Sequence, residues 1–236
     1  MPHAVRFREA VALAGRFPLL SGLSLEVAEG EVVHLRGANG AGKTSLLRAC
    51  AGLLAIAGGT AVVLGHDLCL DRQSLRREVG LLGHAGFSYE ELSVEENLAF
   101  ALRAARAPAE RADAALERLG LVGRVRKTAV GACSAGQRRR LALAVLVARA
   151  PRLWLLDEPH AGLDHEARAV VDELVREAAG SGATVLVASH ELERAAALCD
   201  RQVTIAGGRV LEPGGDAPLG APIAALAGGE VGCDVA

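Results

Sequence analysis

The stretch Gly37-Ala38-Asn39-Gly40-Ala41-Gly42-Lys43-Thr44 constrains this chain more than any other. Before it, Glu31 to Arg36 is rich in Val and Leu, as a strand should be; after it, Ser45 to Ala51 consists of helix formers. Glycines at 37, 40 and 42 open backbone conformations closed to residues with a Cβ. Successive N–H groups can then converge on one point, where the positive end of the following helix also lies. Gly, four residues, Gly-Lys-Thr in that setting predicts a phosphate cradle. Lys43 is placed for the β- and γ-phosphates of a nucleoside triphosphate, and the Thr44 hydroxyl for Mg²⁺. Asn39, Ala41 and Ser45 belong to the same cradle. Among 26 Lys plus Arg residues only Lys43 and Lys127 are lysines, so an arginine-rich chain has kept a compact ammonium here.

Length and composition bound the rest. At 236 residues the chain is one large domain or two small ones, and 51% apolar residues are ample for a core. The net charge of −2 gives no global basic field, so nucleic acid is not an expected partner. Five scattered cysteines, at 50, 69, 133, 199 and 233, show no metal-ligand spacing and suggest free thiols in a reducing compartment. The N-terminus lacks an apolar signal core, and no run reaches the ~18 apolar residues of a membrane span. The mean hydropathy of +0.27 is high for a soluble protein, and a surface covered by a partner would account for part of it.

Along the chain, residues 4–36 read as short strands with turns between them. Thr60 to Leu64 and Val79 to Leu82 are further strands. From about 88 to 150 the pattern turns helical, like an insertion into an α/β core. Ser93-Val94-Glu95-Glu96 and Ser134-Ala135-Gly136-Gln137 both read as capping boxes. Pro108 is expected at the first position of a helix that Gly120 closes. Leu153 to Asp157 and Ala183 to Ala188 are continuous apolar runs, as in strands buried on both faces. Asp164 is expected to cap a helix, and Gly207-Gly208 to turn a hairpin. From residue 213 a Pro/Gly/Ala-rich tail follows, with one short helix near 221–227.

Two strand ends carry further chemistry. Asp157, at the end of a buried strand, is suited to hold Mg²⁺ directly or through water. Glu158 is one residue further and suited to polarise an attacking water as general base. His190 follows the second buried strand, where an imidazole can reach a γ-phosphate.

Ser134 to Gln137, lying between the phosphate loop and Asp157-Glu158, resembles the signature motif of ABC-type ATPases. With Pro159, Ala161-Gly162-Leu163-Asp164 and His190, the order of motifs is similar to that family's over roughly residues 3–212. The resemblance implies an α/β P-loop NTPase core, a mixed or parallel sheet flanked by helices. An antiparallel N-terminal β-subdomain and an inserted α-helical subdomain should complete it. It implies ATP and Mg²⁺ as ligands and a head-to-tail homodimer. Each ATP would be gripped by residues 37–44 of one copy and by Ser134, Gly136 and Gln137 of the other, with Asp164 communicating between copies. It also implies catalytic roles for Lys43, Glu158 and His190. A separate integral membrane subunit should dock near Phe87, Tyr89 and Leu92, with the chain peripheral on the cytoplasmic face of the inner membrane.

Three departures stand out. Cys133 and Ala135 flank the signature serine where the family usually has Leu and Gly. His84 stands where the family places a Gln that meets Mg²⁺ and water. The adenine-stacking aromatic maps onto Ala14 to Phe17, with Phe17 slightly displaced and Arg16 an alternative through cation–π stacking. Gly83-His84, the Ser-Ala-Gly-Gln signature and Gly40 to Arg48 look like the ATP-binding subunit of the cytochrome c maturation (haem exporter) complex. Antibiotic or lipid exporter subunits share most of these features. A soluble ABC-type module on nucleic acid and a P-loop kinase of another class are the rival readings.

Overall fold

The structure, a computed structural model, describes residues 2–83 and 88–211. His84, Phe87, the tail from 213 and its expected helix lie outside the described residues. Ten strands and seven α-helices are present among those described. They are β1 (His3–Ala14), β2 (Phe17–Ala28), β3 (Val32–Arg36), α1 (Lys43–Cys50), β4 (Gly58–Val63), β5 (His66–Asp67), α2 (Arg72–Leu75), β6 (Val79–Leu82), α3 (Val94–Ala105) and α4 (Arg111–Arg118). There follow α5 (Ala135–Arg149), β7 (Leu153–Asp157), α6 (His165–Gly180), β8 (Thr184–Ala188), α7 (Leu192–Ala196), β9 (Arg201–Ala206) and β10 (Arg209–Leu211).

The strands form two sheets. One is antiparallel, in the order β2-β1-β4-β5; the other runs β10-β9-β3-β8-β7-β6, parallel except for its edge strand β10. The second sheet explains the continuous apolar runs, because its central strands β3, β7 and β8 are buried on both faces and sort their side chains by parity. Leu153 and Leu155 of β7, Leu186 and Ala188 of β8, and Val33 and Leu35 of β3 face one core with the antiparallel sheet and α1. Trp154 and Leu156, Val185 and Val187, and Val32 face another with α3 to α6. The helical stretch therefore packs on one face of the parallel sheet, and the antiparallel strands on the other.

Two expectations need correction. Residues 4–36 were expected as short strands, whereas β1 and β2 run for 12 residues each. Their pairing absorbs several register shifts, one between Phe7 and Ala10, where Glu9 takes φ 47°. Bulges of this kind let a long strand bend over the core instead of ending. Pro108 does not begin α4: the chain turns through Pro108, Ala109 and Glu110 by i→i+3 bonds, and the α-helix starts at Arg111. Both capping boxes, at Ser93 and Ser134, are formed, and Asp164 accepts from Ala167 N–H as a helix cap.

Candidate active site

Strand order places the chemistry. β3, β8 and β7 are neighbours and parallel, so their C-terminal ends lie side by side. The phosphate loop leaves β3, Ser189-His190 leaves β8, and Asp157-Glu158 ends β7. Open α/β sheets bind ligands at this edge. A cavity of about 400 Å³ opens there between Arg36, Gly37, Ser189, His190 and Thr204.

The loop is held by backbone. Gly208 N–H donates to Ala41 O at 2.8 Å, and Gly208 O accepts from Ser21 N–H at 3.0 Å. Gly37, at φ 144°, packs so tightly that a Cβ would stand 2.2 Å from Ile205 O. A Cβ on Gly42 would meet Gly208 Cα at 3.1 Å and Leu19 O at 3.2 Å. The loop is thus wedged between β2 and the β9–β10 hairpin. Asn39 and Gly40 are exposed at its tip, Ala41 is buried beneath it and Ser45 is half-buried behind it. α1 begins at Gly42 with no side-chain cap, so its first N–H groups remain available to an anion. Lys43 is 7% exposed and donates through Nζ to Gly37 O at 2.7 Å and Ala38 O at 3.0 Å.

Across the sheet edge, Thr44 Oγ1 donates to Asp157 Oδ2 at 2.7 Å. Two hard oxygen ligands are thereby paired at the start of α1. Among the described residues no group of three or more His, Cys, Asp and Glu side chains forms a cage for a metal. The Thr44–Asp157 pair suits Mg²⁺, which typically takes one or two protein oxygens and completes its shell with water and phosphate. Glu158 sits at φ 47°, with its N–H on Ala188 O at 2.8 Å. Its Oε1 is 3.3 Å from His190 Nε2, and its Oε2 accepts from His190 N–H at 3.3 Å. The exposed imidazole, which lines the cavity, is thereby paired with the half-buried carboxylate.

Beneath them His34 is fully buried, its Nε2 donating to Ser189 O at 3.1 Å. Burial is the main cause that lowers its pKa, with Arg36 and Lys43 also lowering and the Ser189 bond and Glu158 raising it. His34 is a neutral strut under the site.

A family model described as ABC transporter matches residues 20–161. The chain belongs to the ABC transporter family. Its fold is that of an ABC-type cassette. It is 42% identical over 199 residues to the daunorubicin resistance ATP-binding protein DrrA3 of Streptomyces coeruleorubidus, covering 83% of this chain and 63% of that relative. The chain thus spans less than two thirds of DrrA3's length. It is 43% identical over 174 residues to the cytochrome c biogenesis ATP-binding export protein CcmA of Methylococcus capsulatus, covering 73% of this chain and 84% of the relative. A solved structure described as the ATP binding subunit of an ABC transporter superposes with a TM-score of 0.80 at 27% identity over 88% of each chain.

The remaining residues of the cassette fall in two places. Ser134 Oγ accepts from Gln137 N–H at 3.2 Å, and Gln137 Oε1 accepts from Ser134 N–H at 2.9 Å. Gly136 faces the Gly162 carbonyl, 3.7 Å from where its Cβ would stand. Arg140 bridges to Asp164 at 2.8 Å, tying the signature helix to the loop that Asp164 ends. None of Ser134, Gly136 and Gln137 lines the cavity at Gly37 and His190. Phe17 is 78% exposed at the start of β2, two residues before Leu19, whose carbonyl borders Gly42. Arg16 is exposed beside it.

At the expected docking region, Tyr89 is 52% exposed and packs edge-to-face on Phe100, with ring centroids 5.0 Å apart; Leu92 is half-buried. Buried Asn97 pins this loop, bonding Tyr89 N–H and the carbonyls of Tyr89, Leu92 and Ser93. Sequence reasoning passed over Asn97, and over Arg139, which reaches four carbonyls around Asp157. The signal for Arg139 was available: it shares a helical face with buried Leu143 and Leu146.

Proposed function

We propose that this cassette binds and hydrolyses ATP as the power subunit of a transporter whose membrane-spanning part is a separate chain. Among the described residues no helix is long and apolar enough to cross a membrane. The observation that carries the reading is the convergence at one sheet edge. Thr44 meets Asp157 at 2.7 Å and Glu158 meets His190 at 3.3 Å, beside a glycine loop that opens a helix. In this reading residues 37–44 hold the phosphates and Thr44 and Asp157 hold Mg²⁺, which offsets charge on the β- and γ-phosphates. Glu158 takes the proton of the attacking water, and His190 orients the γ-phosphate. Ser134, Gly136 and Gln137 act on the nucleotide of a second copy, a role supported by their absence from the lining of the chain's own cavity. Phe17 supplies the face for adenine.

Glu158→Gln tests this. We expect it to bind ATP, to lose about 10²–10⁴ in turnover, and to accumulate as an ATP-bound dimer in size-exclusion chromatography. Turnover at the wild-type rate would remove Glu158 as the base. Dependence on Mg²⁺ should appear as loss of turnover on chelation, with Thr44→Ala weakening the response to added Mg²⁺.

For the cargo, we infer export in the haem-handling system of cytochrome c maturation, supported by the Ser-Ala-Gly-Gln signature and the likeness to CcmA. A second reading, export of a small drug-like molecule, is favoured by the likeness to DrrA3 over a longer part of this chain. Deleting the coding sequence separates them: loss of covalently attached haem from c-type cytochromes supports the first, and sensitivity to anthracyclines with normal cytochromes supports the second.

A further inference from the structure

Arg139 lies in the second turn of α5, five residues after Ser134. Its guanidinium donates through Nη1 to Gly83 O at 2.7 Å and through Nη2 to Asp157 O at 2.9 Å and Glu158 O at 2.5 Å. Nε reaches Pro159 O at 3.4 Å. All four acceptors are main-chain carbonyls, and no carboxylate pairs with Arg139 among the described residues. Burial lowers its pKa, while the charges of Asp157 and Glu158 pull it back up. A half-buried cation without a counter-ion is costly unless its donors are used. Here a planar fork of donors meets a cluster of carbonyls, a geometry that a point ammonium cannot match.

The acceptors are not arbitrary. Glu158 is a non-glycine residue at φ 47°, a sparsely populated conformation that persists only where its surroundings over-determine it. The peptide before Glu158 is held at both ends, by Arg139 on Asp157 O and by Ala188 O on Glu158 N–H. The peptide after it is held by Arg139 on Glu158 O. With both flanking planes fixed, the backbone of Glu158 has no direction in which to relax. That backbone aims its carboxylate at His190.

We propose that Arg139 is the positioning residue of the hydrolytic site, holding the strained peptide that aims Glu158 and linking it to the signature helix. The inference rests on the reading of Glu158 as base. In a head-to-tail pair the N-terminus of α5 senses the nucleotide held by the second copy, whereas Glu158 acts on the nucleotide of its own. Arg139 therefore ties the base serving one nucleotide to the helix that touches the other. A shift of α5 on closure would move the guanidinium, and with it the Glu158 peptide.

The test compares Arg139→Gln, Arg139→Lys and Glu158→Gln in the full chain, reading kcat and KM for ATP, affinity for a fluorescent ATP analogue, and thermal unfolding. A misaimed base should cost about tenfold or more in kcat, with KM and nucleotide affinity within about twofold of wild type. The Hill coefficient for ATP should fall towards one. Arg139→Lys keeps the charge and should melt near the wild type, yet it should not restore kcat. In a Glu158→Gln background, Arg139→Gln should cost no further kcat. Wild-type kcat in Arg139→Gln, with Glu158→Gln inactive, overturns this inference and leaves the base intact; wild-type turnover in Glu158→Gln sinks the base itself. Full recovery of kcat in a stable Arg139→Lys shows that a charge suffices and overturns the positioning role. If Arg139→Gln does not fold, the Lys variant alone decides by the same kcat-against-KM comparison.

Discussion

Two helix starts that the proposed function assigns to nucleotide phosphate are built in opposite ways. α1 opens at Gly42 with no side-chain cap, on a loop clamped by the β9–β10 hairpin and by β2. α5 opens at Ser134 with a complete capping box, in which Ser134 and Gln137 satisfy one another. An uncapped, pre-shaped start leaves its N–H groups free for a phosphate without any rearrangement. A capped start has its polar groups already engaged and must exchange them to hold a ligand. Under the proposed function the difference suits an order of events, in which the phosphate loop would take ATP first and the Ser134 helix start would join when a second copy arrives. Both helices pack on the parallel sheet, from opposite faces, but the start of α5 is also tied by side chains, Arg139 to the end of β7 and Arg140 to Asp164.

The rigidity of the first start is the part of this contrast most easily broken. Gly37→Ala would set a Cβ 2.2 Å from Ile205 O at a φ that side chains rarely adopt. The loop must then leave the hairpin, at a cost on the order of 3 kcal/mol or more, and nucleotide binding should be lost. Calorimetric titration with ATP and a melting curve check both. If Gly37→Ala binds ATP normally, the loop is not pre-shaped by the hairpin and the contrast falls.

At the second start the expected effect on folding is smaller and the effect on assembly larger. Ser134→Ala removes a helix cap worth about 1 kcal/mol. In a Glu158→Gln background it should also abolish the ATP-dependent dimer, as read by size-exclusion chromatography. Ser134→Asn keeps a capping side chain and should regain the stability but not the dimer. A dimer that survives Ser134→Ala would reduce the signature to an ordinary cap. Asp164→Asn is milder still: it can keep the cap on Ala167 N–H and loses only an exposed ion pair with Arg140, worth ~0–1 kcal/mol. Its melting temperature should hardly move.

The legibility of the sequence follows the same divide. The loop at 37–44, the two capping boxes and the apolar runs of β7 and β8 are local patterns, set by glycine freedom, side-chain reach and burial on both faces. They could be read without a fold. The lengths of β1 and β2 could not, because bulges such as that at Glu9 depend on what the strand bends over. The start of α4 was misplaced because Pro108 fits equally well in the turn that precedes a helix. Arg139 was legible only in the helical face it shares with buried Leu143 and Leu146, and its role was not legible at all. It stands in Arg138-Arg139-Arg140, a run that reads as a solvated face, and its partners are backbone atoms of a strand 18 residues or more away. Side-chain identity betrays an ion pair in a sequence, but no residue type announces a free carbonyl.

The smallest expected effect concerns what lies under the first start. His34 is buried in β3 and bonded to Ser189 O, below the loop on one side and His190 on the other. Its folded pKa is lowered from 6.5, chiefly by burial. The unfolded chain therefore binds a proton at a pH where the folded chain does not, and stability should fall as pH drops below 6.5 towards the folded value. Above 6.5 His34 should contribute no slope. Unfolding midpoints measured between pH values on either side of 6.5, for wild type and His34→Gln, isolate the term, because every other titrating group is common to both. The wild type should lose stability more steeply on the acid side, and ATP affinity should weaken with it, since protonated His34 would set a charge beneath the loop near Lys43 and Arg36. Equal acid slopes in the two proteins would show that the buried imidazole is no strut of the phosphate loop. The rigidity of the first helix start would then rest on the Gly208 clamp alone.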